Sequence, residues 1–318
     1  WGKLEDAMAL HREGERICRQ LGNLDGLQIS LNNQALILQA WGKLEESMAL
    51  LKEAERICRQ LGRLDGLQTS LNNQALILQA WGKLGEAMAL YKEQERICRQ
   101  LGKLDGLSAS LGNQAGILYA WGKLDETMAL LKETERICRQ LGNVAGLQRT
   151  FGHQAIILQV WGKLGDAMAL HKEQERICRQ LGRLDGLSAS LGNQASILYA
   201  WGKLDEAMAL LREEERVCRQ LGNVAGLQTS LGHQAVILHD WGKLDEAMAL
   251  HKEKERICRQ LGDPQGLATS MANQASLLAQ QGLRHEAVIK AQEALAIAQK
   301  HGLAALAKHI AGLPILRE

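Results

Sequence analysis

LNNQALILQAWGKLGEAMALYKEQERICRQLG, residues 71–102, reads as the end of one helix, a turn at Trp81-Gly82, and a second helix closed by Gly102. Near-copies of this stretch recur every 40 residues, marked by Trp-Gly-Lys-Leu at Trp1, Trp41, Trp81, Trp121, Trp161, Trp201 and Trp241. A fixed period in the range of about 20–50 residues is the signature of a solenoid, in which each repeat contacts its neighbours alone. The expected fold is therefore all-α, a right-handed α-solenoid of stacked antiparallel helix pairs.

Composition narrows the function classes. Lys plus Arg (38) nearly cancels Asp plus Glu (36), so no long-range field draws in nucleic acid or an anionic membrane surface. No apolar run of about 18 residues is present to span a bilayer. The chain starts with Trp in mid-repeat and shows no leader, so it reads as a piece of a longer protein. Cysteines recur once per repeat, from Cys18 to Cys258, always before Arg-Gln. Stacked equivalents lie roughly 10 Å apart, beyond the roughly 7 Å reach of a disulfide. They read as small buried hydrophobes in a reducing, cytoplasmic setting, with no metal site and no cofactor.

Residues 3–21 carry apolar Leu4, Ala7, Met8, His11, Cys18 and Leu21 at helical spacing, ended by Gly22. A second helix covers about 24–40, with Leu24, Leu27, Leu31, Ala35 and Leu38 on one face. We call the 24–40 type helix A and the 43–61 type helix B. Asp263-Pro264 is an N-cap followed by proline at the first helical position, and Asn23, Asn143 and Asn223 are its equivalents. Along helix B, Glu13–Arg16 and Glu15–Arg19 are intrahelical pairs that mark a solvated face. Seven repeats fill 1–280, starting at helix B of a truncated repeat. Residues 281–318 have lost the Trp, the Cys and the Glu-Arg pairs and read as a capping repeat with a last helix at Leu303–Ile310, stopped by Pro314. Helix 3–21 lacks a helix A of its own, which predicts an exposed apolar face near Leu4, Met8 and Leu10 and possible end-to-end self-association.

These features resemble tetratricopeptide repeats. The matching residues are Leu71-Asn72-Asn73 with Ala75, then Gly82, Leu84, Glu86-Ala87, and Leu261-Gly262-Asp263 with Gly266. The period exceeds the roughly 34 residues of the common form and is similar to variants in kinesin light chains, Pins-type proteins and bacterial regulators. The resemblance covers essentially residues 1–301. Two departures stand out. Glutamine (Gln34, Gln74 and equivalents to Gln274) replaces a usually apolar helix A residue, and the usually small residue late in helix B ranges from Gly14 and Ala54 to Glu214 and Lys254. The glutamines read first as a buried amide ladder between repeats, with a groove-facing role as the alternative. The tryptophans read as a turn-packing ladder.

Helix B hardly changes between copies, whereas helix A varies at Asp25, Ile29, Asn32, Asn33, Leu36, Gln39, Ala40 and their equivalents, which share one helical face. The resemblance implies that this face lines a concave groove holding a peptide or partner segment. It also implies that the asparagines Asn33, Asn73, Asn113, Asn193 and Asn273, with His153 and His233 substituting, hydrogen-bond an extended backbone. Tyr119, Tyr199 and His239 would be rigid anchors. Gln159 takes the tyrosine position in the copy that carries His153, and Arg149 is the one cationic side chain on this face apart from histidinium. A mixed or apolar ligand is expected over a strongly acidic one. The Asn113/Tyr119 and His153/Gln159 copies alternate, an 80-residue super-repeat. No nucleophile, acid-base pair or phosphate loop points to catalysis. The expectation is a non-enzymatic scaffold or sensor binding a protein or peptide segment. The alternative is a structural array packing on itself or on other domains of a longer parent.

Overall fold

The structure, a computed structural model, describes residues 2–316. The first marker, Trp1, and the last two residues of the expected cap lie outside the described residues. Helices B are α1 (Gly2–Leu21), α3 (Leu44–Leu61), α5 (Leu84–Leu101), α7 (Leu124–Leu141), α9 (Leu164–Leu181), α11 (Leu204–Leu221), α13 (Leu244–Leu261) and α15 (Arg284–Lys300). Helices A are α2 (Leu24–Ala40), α4 (Leu64–Ala80), α6 (Leu104–Ala120), α8 (Val144–Val160), α10 (Leu184–Ala200), α12 (Val224–Asp240) and α14 (Pro264–Gln280). A short α16 (Ala304–Ala311) and a 3-10 turn at Pro314–Leu316 follow. The chain divides into two compact units, the first running to Ile157 and the second starting at Leu158. Each unit is a series of antiparallel helix pairs packed in order, the all-α solenoid architecture.

Both kinds of turn follow from glycine. In the first, Gly62 stands at φ +65 after α3, and the Arg63 amide reaches back to the Cys58 carbonyl at 2.9 Å. In the second, Gly82 stands at φ +73 after the Trp81 cap, and the Lys83 amide bonds the Leu78 carbonyl at 2.8 Å. These are Schellman ends, and a left-handed residue with a Cβ would be strained there. Asn23, Asn143, Asn223 and Asp263 accept from the amide three residues on, as N-caps do. Where Arg63 and Lys103 take that position, they pair instead with Asp25 and Asp65 of the preceding repeat.

The core is a row of small cells, each filled by two helices B and the helix A between them. In the first unit Cys58, Leu67, Leu71 and Ile97 form one cell, and Cys98, Leu107, Leu111 and Ile137 the next. In the second, Cys178, Leu187, Leu191 and Val217 repeat it, followed by Cys218, Leu227, Leu231 and Ile257. The cysteines are free, and burial raises the Cys58 and Cys178 thiols to about 11. Their packing explains the glycine column that ends at Gly266. A Cβ on Gly66 would come within 2.7 Å of Cys58 Sγ, and a Cβ on Gly106 equally close to Cys98 Sγ. The last pair is closed by α16, whose Ile310 joins Ala268, Met271, Ala272, Ala294 and Ala298.

Two expectations are corrected, for the glutamines and for Met8, and two are extended, for the arginines and the tryptophans. The glutamines do not form a ladder among themselves. Each is buried and donates to the glutamate 19 residues before it, for example Gln74 Nε2 to Glu55 Oε2 at 2.6 Å and Gln194 to Glu175 at 2.7 Å. The helix B arginines make the expected intrahelical pairs, Arg16 with Glu13 and Arg19 with Glu15, and in addition reach the next repeat. Arg59 holds Glu55 and reaches Glu93 of the next helix B at 2.8 Å, and Arg219 does the same with Glu215 and Glu253. The tryptophans stand at the turns: Trp41 is half-buried and packs against Met8, Ile37 and Leu38, while Trp81, Trp121, Trp161 and Trp201 are more exposed, with Lys83 and Lys163 lying over the rings of Trp81 and Trp161. On α1, Met8 packs under Ile37 and Leu38, so the exposed apolar face consists of Leu4, Leu10, Ile17 and Leu21, with Leu10 73% and Leu21 75% exposed.

The varied residue late in helix B is buried in most copies and faces helix A in complementary fashion. The Glu214 carboxylate occupies the space above Gly192, and Lys254 Nζ that above Gly232. Where the helix B residue is small, as at Ala54, the equivalent helix A residue is Asn32.

Candidate functional site

In each unit one pair of neighbouring helices A packs directly, α2 on α4 and α10 on α12. Most members of the varied face of helix A are open to solvent, among them Ile29, Leu36, Leu76, Tyr119 and Tyr199. Asn32 is one exception. It is 7% exposed, donates to the Gln28 carbonyl at 2.9 Å, and accepts from Ser70 Oγ at 3.0 Å, so it joins repeats and does not face the groove.

In the first unit, Tyr119 and His153 wall one apolar pocket of about 230 Å³ between α6 and α8. Its other walls are Ala115, Gly116, Ile156 and Ile157, with Leu131 and Thr127 of α7 beneath. Beside it is a larger, polar recess of about 410 Å³ that shares Leu131 and His153 and is lined by Asn113, Asn143, Asp105 and Arg149. Arg149 is exposed and takes part in no ion pair among the described residues.

In the second unit the apolar pocket recurs 80 residues on. Tyr199 and His233 wall it with Ala195, Ser196, Val236 and Ile237, over Leu211 of α11, and its volume is again about 230 Å³. The Tyr199 hydroxyl donates to Asp240 at 2.9 Å, and that hydrogen bond raises the phenol pKa. No group among the described residues accepts the Tyr119 hydroxyl.

The two histidines stand open at the groove yet are crowded by its walls. Desolvation first, and then the charge of Arg149 for His153 and of Lys254 for His233, lowers both pKa values. Both rings are thereby biased toward the neutral form, which offers one donor and one acceptor. Behind the second pocket, burial pushes the Glu214 carboxyl up to about 7, and its Oε2 has no hydrogen-bond partner.

The remaining sequence-predicted residues are placed less uniformly. Asn73 is buried and accepts from Asn72 Nδ2, so its amide oxygen is engaged within the protein. Asn33, Asn113, Asn193 and Asn273 are half-buried on the expected face. Gln159 donates to the Asn193 carbonyl at 3.5 Å, and His239 meets Gln280 at 3.1 Å and Asp240 at 3.5 Å. Sequence reasoning missed what opens the pockets. Gly116 and Ser196 stand where earlier repeats carry Leu36 and Leu76, a substitution visible in the sequence but meaningless without knowing that its neighbours are Tyr and His. Among the described residues no group of His, Cys, Asp and Glu is arranged to hold a metal, and no helix is long and apolar enough to cross a membrane.

A family model described as anaphase-promoting complex subunit 5 matches residues 6–81, 165–240, 223–281 and 244–312, more than two thirds of the chain. No curated protein matches in sequence. Among solved structures, the chain is similar to a signal transduction ATPase with numerous domains from Pyrococcus horikoshii, a protein with a tetratricopeptide repeat sensor. The TM-score is 0.75 at 15% identity, over 94% of this chain and 46% of that one, so this chain spans less than half of that protein. It is also similar to the apo quorum sensor NprR from B. thuringiensis, with TM-score 0.68 at 13% identity over 92% of this chain and 83% of that one. Apo RapI gives TM-score 0.67 at 12% identity over 97% and 90%. At these identities the likeness is one of fold.

Proposed function

This chain belongs to the tetratricopeptide-type repeat family described by the anaphase-promoting complex subunit 5 model, and on that premise we propose that it is a non-enzymatic interaction module that binds an extended peptide segment along the helix A face. The observation that carries the reading is the pair of preformed apolar pockets between neighbouring helices A, each with a few polar groups at its rim, the usual make-up of a binding site. The half-buried amides of Asn33, Asn113, Asn193 and Asn273 line the same face and offer donor and acceptor to a peptide backbone. Tyr119 and Tyr199, exposed and held on helices, are suited as anchors. Likeness to a tetratricopeptide repeat sensor and to a quorum sensor supports a sensing role within a larger protein.

The test is selection of a random peptide library on the immobilised chain, followed by titration calorimetry of the selected peptides. A variant carrying Tyr119→Ala, Arg149→Ala and Tyr199→Ala should bind them at least about tenfold more weakly, a loss of about 1.4 kcal/mol. Equal affinity for both proteins rejects the groove. A second reading, self-association, rests on the exposed Leu10, Ile17 and Leu21 of α1. Sedimentation that depends on concentration and is abolished by Leu10→Lys with Leu21→Lys would establish it.

A further inference from the structure

One position decides where the helix A face is open. It reads Leu36, Leu76, Gly116, Ile156, Ser196, Val236 and Ser276 along the chain, the last on α14, which the short α16 follows in place of a further helix A. Where it is leucine, the residue's own side chain stands on the surface. At Gly116 and Ser196 the space is vacated, and a Cβ added to Gly116 would meet nothing within 4 Å. The pocket that each of them lines has a volume of about 230 Å³. A cavity of roughly 150 Å³ lined by aliphatic side chains already admits a benzene ring, so each pocket accommodates one aromatic side chain. Tyrosine and imidazole rings at the mouth provide the edge and face contacts that aromatic pairs favour.

The two pockets are not equivalent at their rims. The polar recess that adjoins the first shares His153 and Leu131 with it and presents Arg149, whereas the residue equivalent to Arg149 in the second unit is Thr229. A guanidinium without a partner is a planar fork matched to a carboxylate. Asp105 lines the same recess, which limits it to one acidic group because a run of carboxylates would be repelled.

We propose that each pocket takes one aromatic side chain of the bound peptide, and that the first selects an aromatic residue with a single carboxylate beside it, held by Arg149. This rests on the peptide-binding reading above. The chain has three tyrosines, and Tyr91 is fully buried, so fluorotyrosine NMR reports each pocket with an internal control. The Tyr119→Phe and Tyr199→Phe variants assign the signals. N-acetyl-phenylalaninamide should shift both groove signals saturably and leave Tyr91 unmoved. N-acetyl-phenylalanine, which adds the carboxylate, should bind several-fold tighter than the amide at Tyr119 and no tighter at Tyr199. Gly116→Leu should abolish the Tyr119 response, Ser196→Leu the Tyr199 response, and Arg149→Gln the preference for the acid.

The proposal is overturned if N-acetyl-alaninamide gives equal shifts, if neither signal responds up to the solubility limit, or if the acid preference survives Arg149→Gln. Library-selected peptides separate this idea from the broader one. Full affinity for Gly116→Leu and Ser196→Leu, with loss in the triple alanine variant, keeps the groove and removes the pockets. Loss in all three sustains both. Unchanged binding to the triple alanine variant removes the groove as the peptide site, and the pocket proposal with it.

Discussion

The Tyr119 pocket of the first unit and the Tyr199 pocket of the second are one cavity built twice, with different rims. Volume, aromatic wall and leucine floor agree. The differences are an unpaired Arg149 against Thr229, a free tyrosine hydroxyl against one held by Asp240, and, behind the wall, Thr134 against Glu214. Duplication preserved what the fold needs, because Leu131 and Leu211 belong to the packed interior as well as to the pocket floor. Substitution reached both the exposed rim and one buried position, Thr134 against Glu214. On the proposed reading, the rim would set specificity, and the floor carries packing.

The strongest way to break this comparison is at the floor. Leu131→Ala and Leu211→Ala should each cost about 3 kcal/mol, the usual cost of a large-to-small change at a fully buried site. Each should raise hydrogen exchange in its own and adjoining helices, because repeats are coupled mainly to their neighbours. Clearly unequal costs would show that the two floors are not the same structure.

Exchanging Thr134 and Glu214 should have the next largest effect, and it depends on pH. Burial raises the Glu214 pKa from 4.5 to about 7. The folded second unit therefore holds a proton that the unfolded chain releases. Its stabilising contribution is complete below pH 4.5 and is lost as pH climbs through about 7. Glu214→Gln should stabilise the protein by about 2 kcal/mol at pH 8 and leave it nearly unchanged at pH 4. Thr134→Glu should import the same loss with rising pH into the first unit. His251 works in the opposite sense. Its pKa is lowered from 6.5 to about 4 by burial and then by the Lys254 and His239 charges, so its contribution is lost as pH falls through that range. Denaturant unfolding across pH 4–8 separates the two.

The smallest effect is at the rim. Asp240→Asn should bring the raised Tyr199 phenol pKa back toward 10 while leaving the fold intact, because the pair is exposed and screened. Ultraviolet titration of the tyrosines reads the change. An unmoved Tyr199 would mean that Asp240 does not hold its hydroxyl in solution.

The sequence by itself determined the period, the limits of the helices to within a residue or two, the glycine ends, the asparagine and aspartate caps and the apolar columns of the core. Each of these is written within about 20 residues of chain, and periodicity and capping are local physics. For the candidate groove the sequence offered names only: Tyr119 and Tyr199 from the varied face of helix A, and His153 and His233 from the resemblance. What it could not supply was their grouping, because each pocket draws on three helices and exists through what Gly116 and Ser196 lack. Tertiary structure alone decided that Asn32 and Asn73 turn inward, and that Gln74 pairs with Glu55 and not with another glutamine. The same holds for Arg59, which spans two repeats, and for Glu214, buried against Gly192 without a partner for one oxygen. In a solenoid of near-identical repeats, side-chain volume and charge are balanced between neighbours about 20–40 residues apart, and only the packed arrangement shows which neighbour each residue meets.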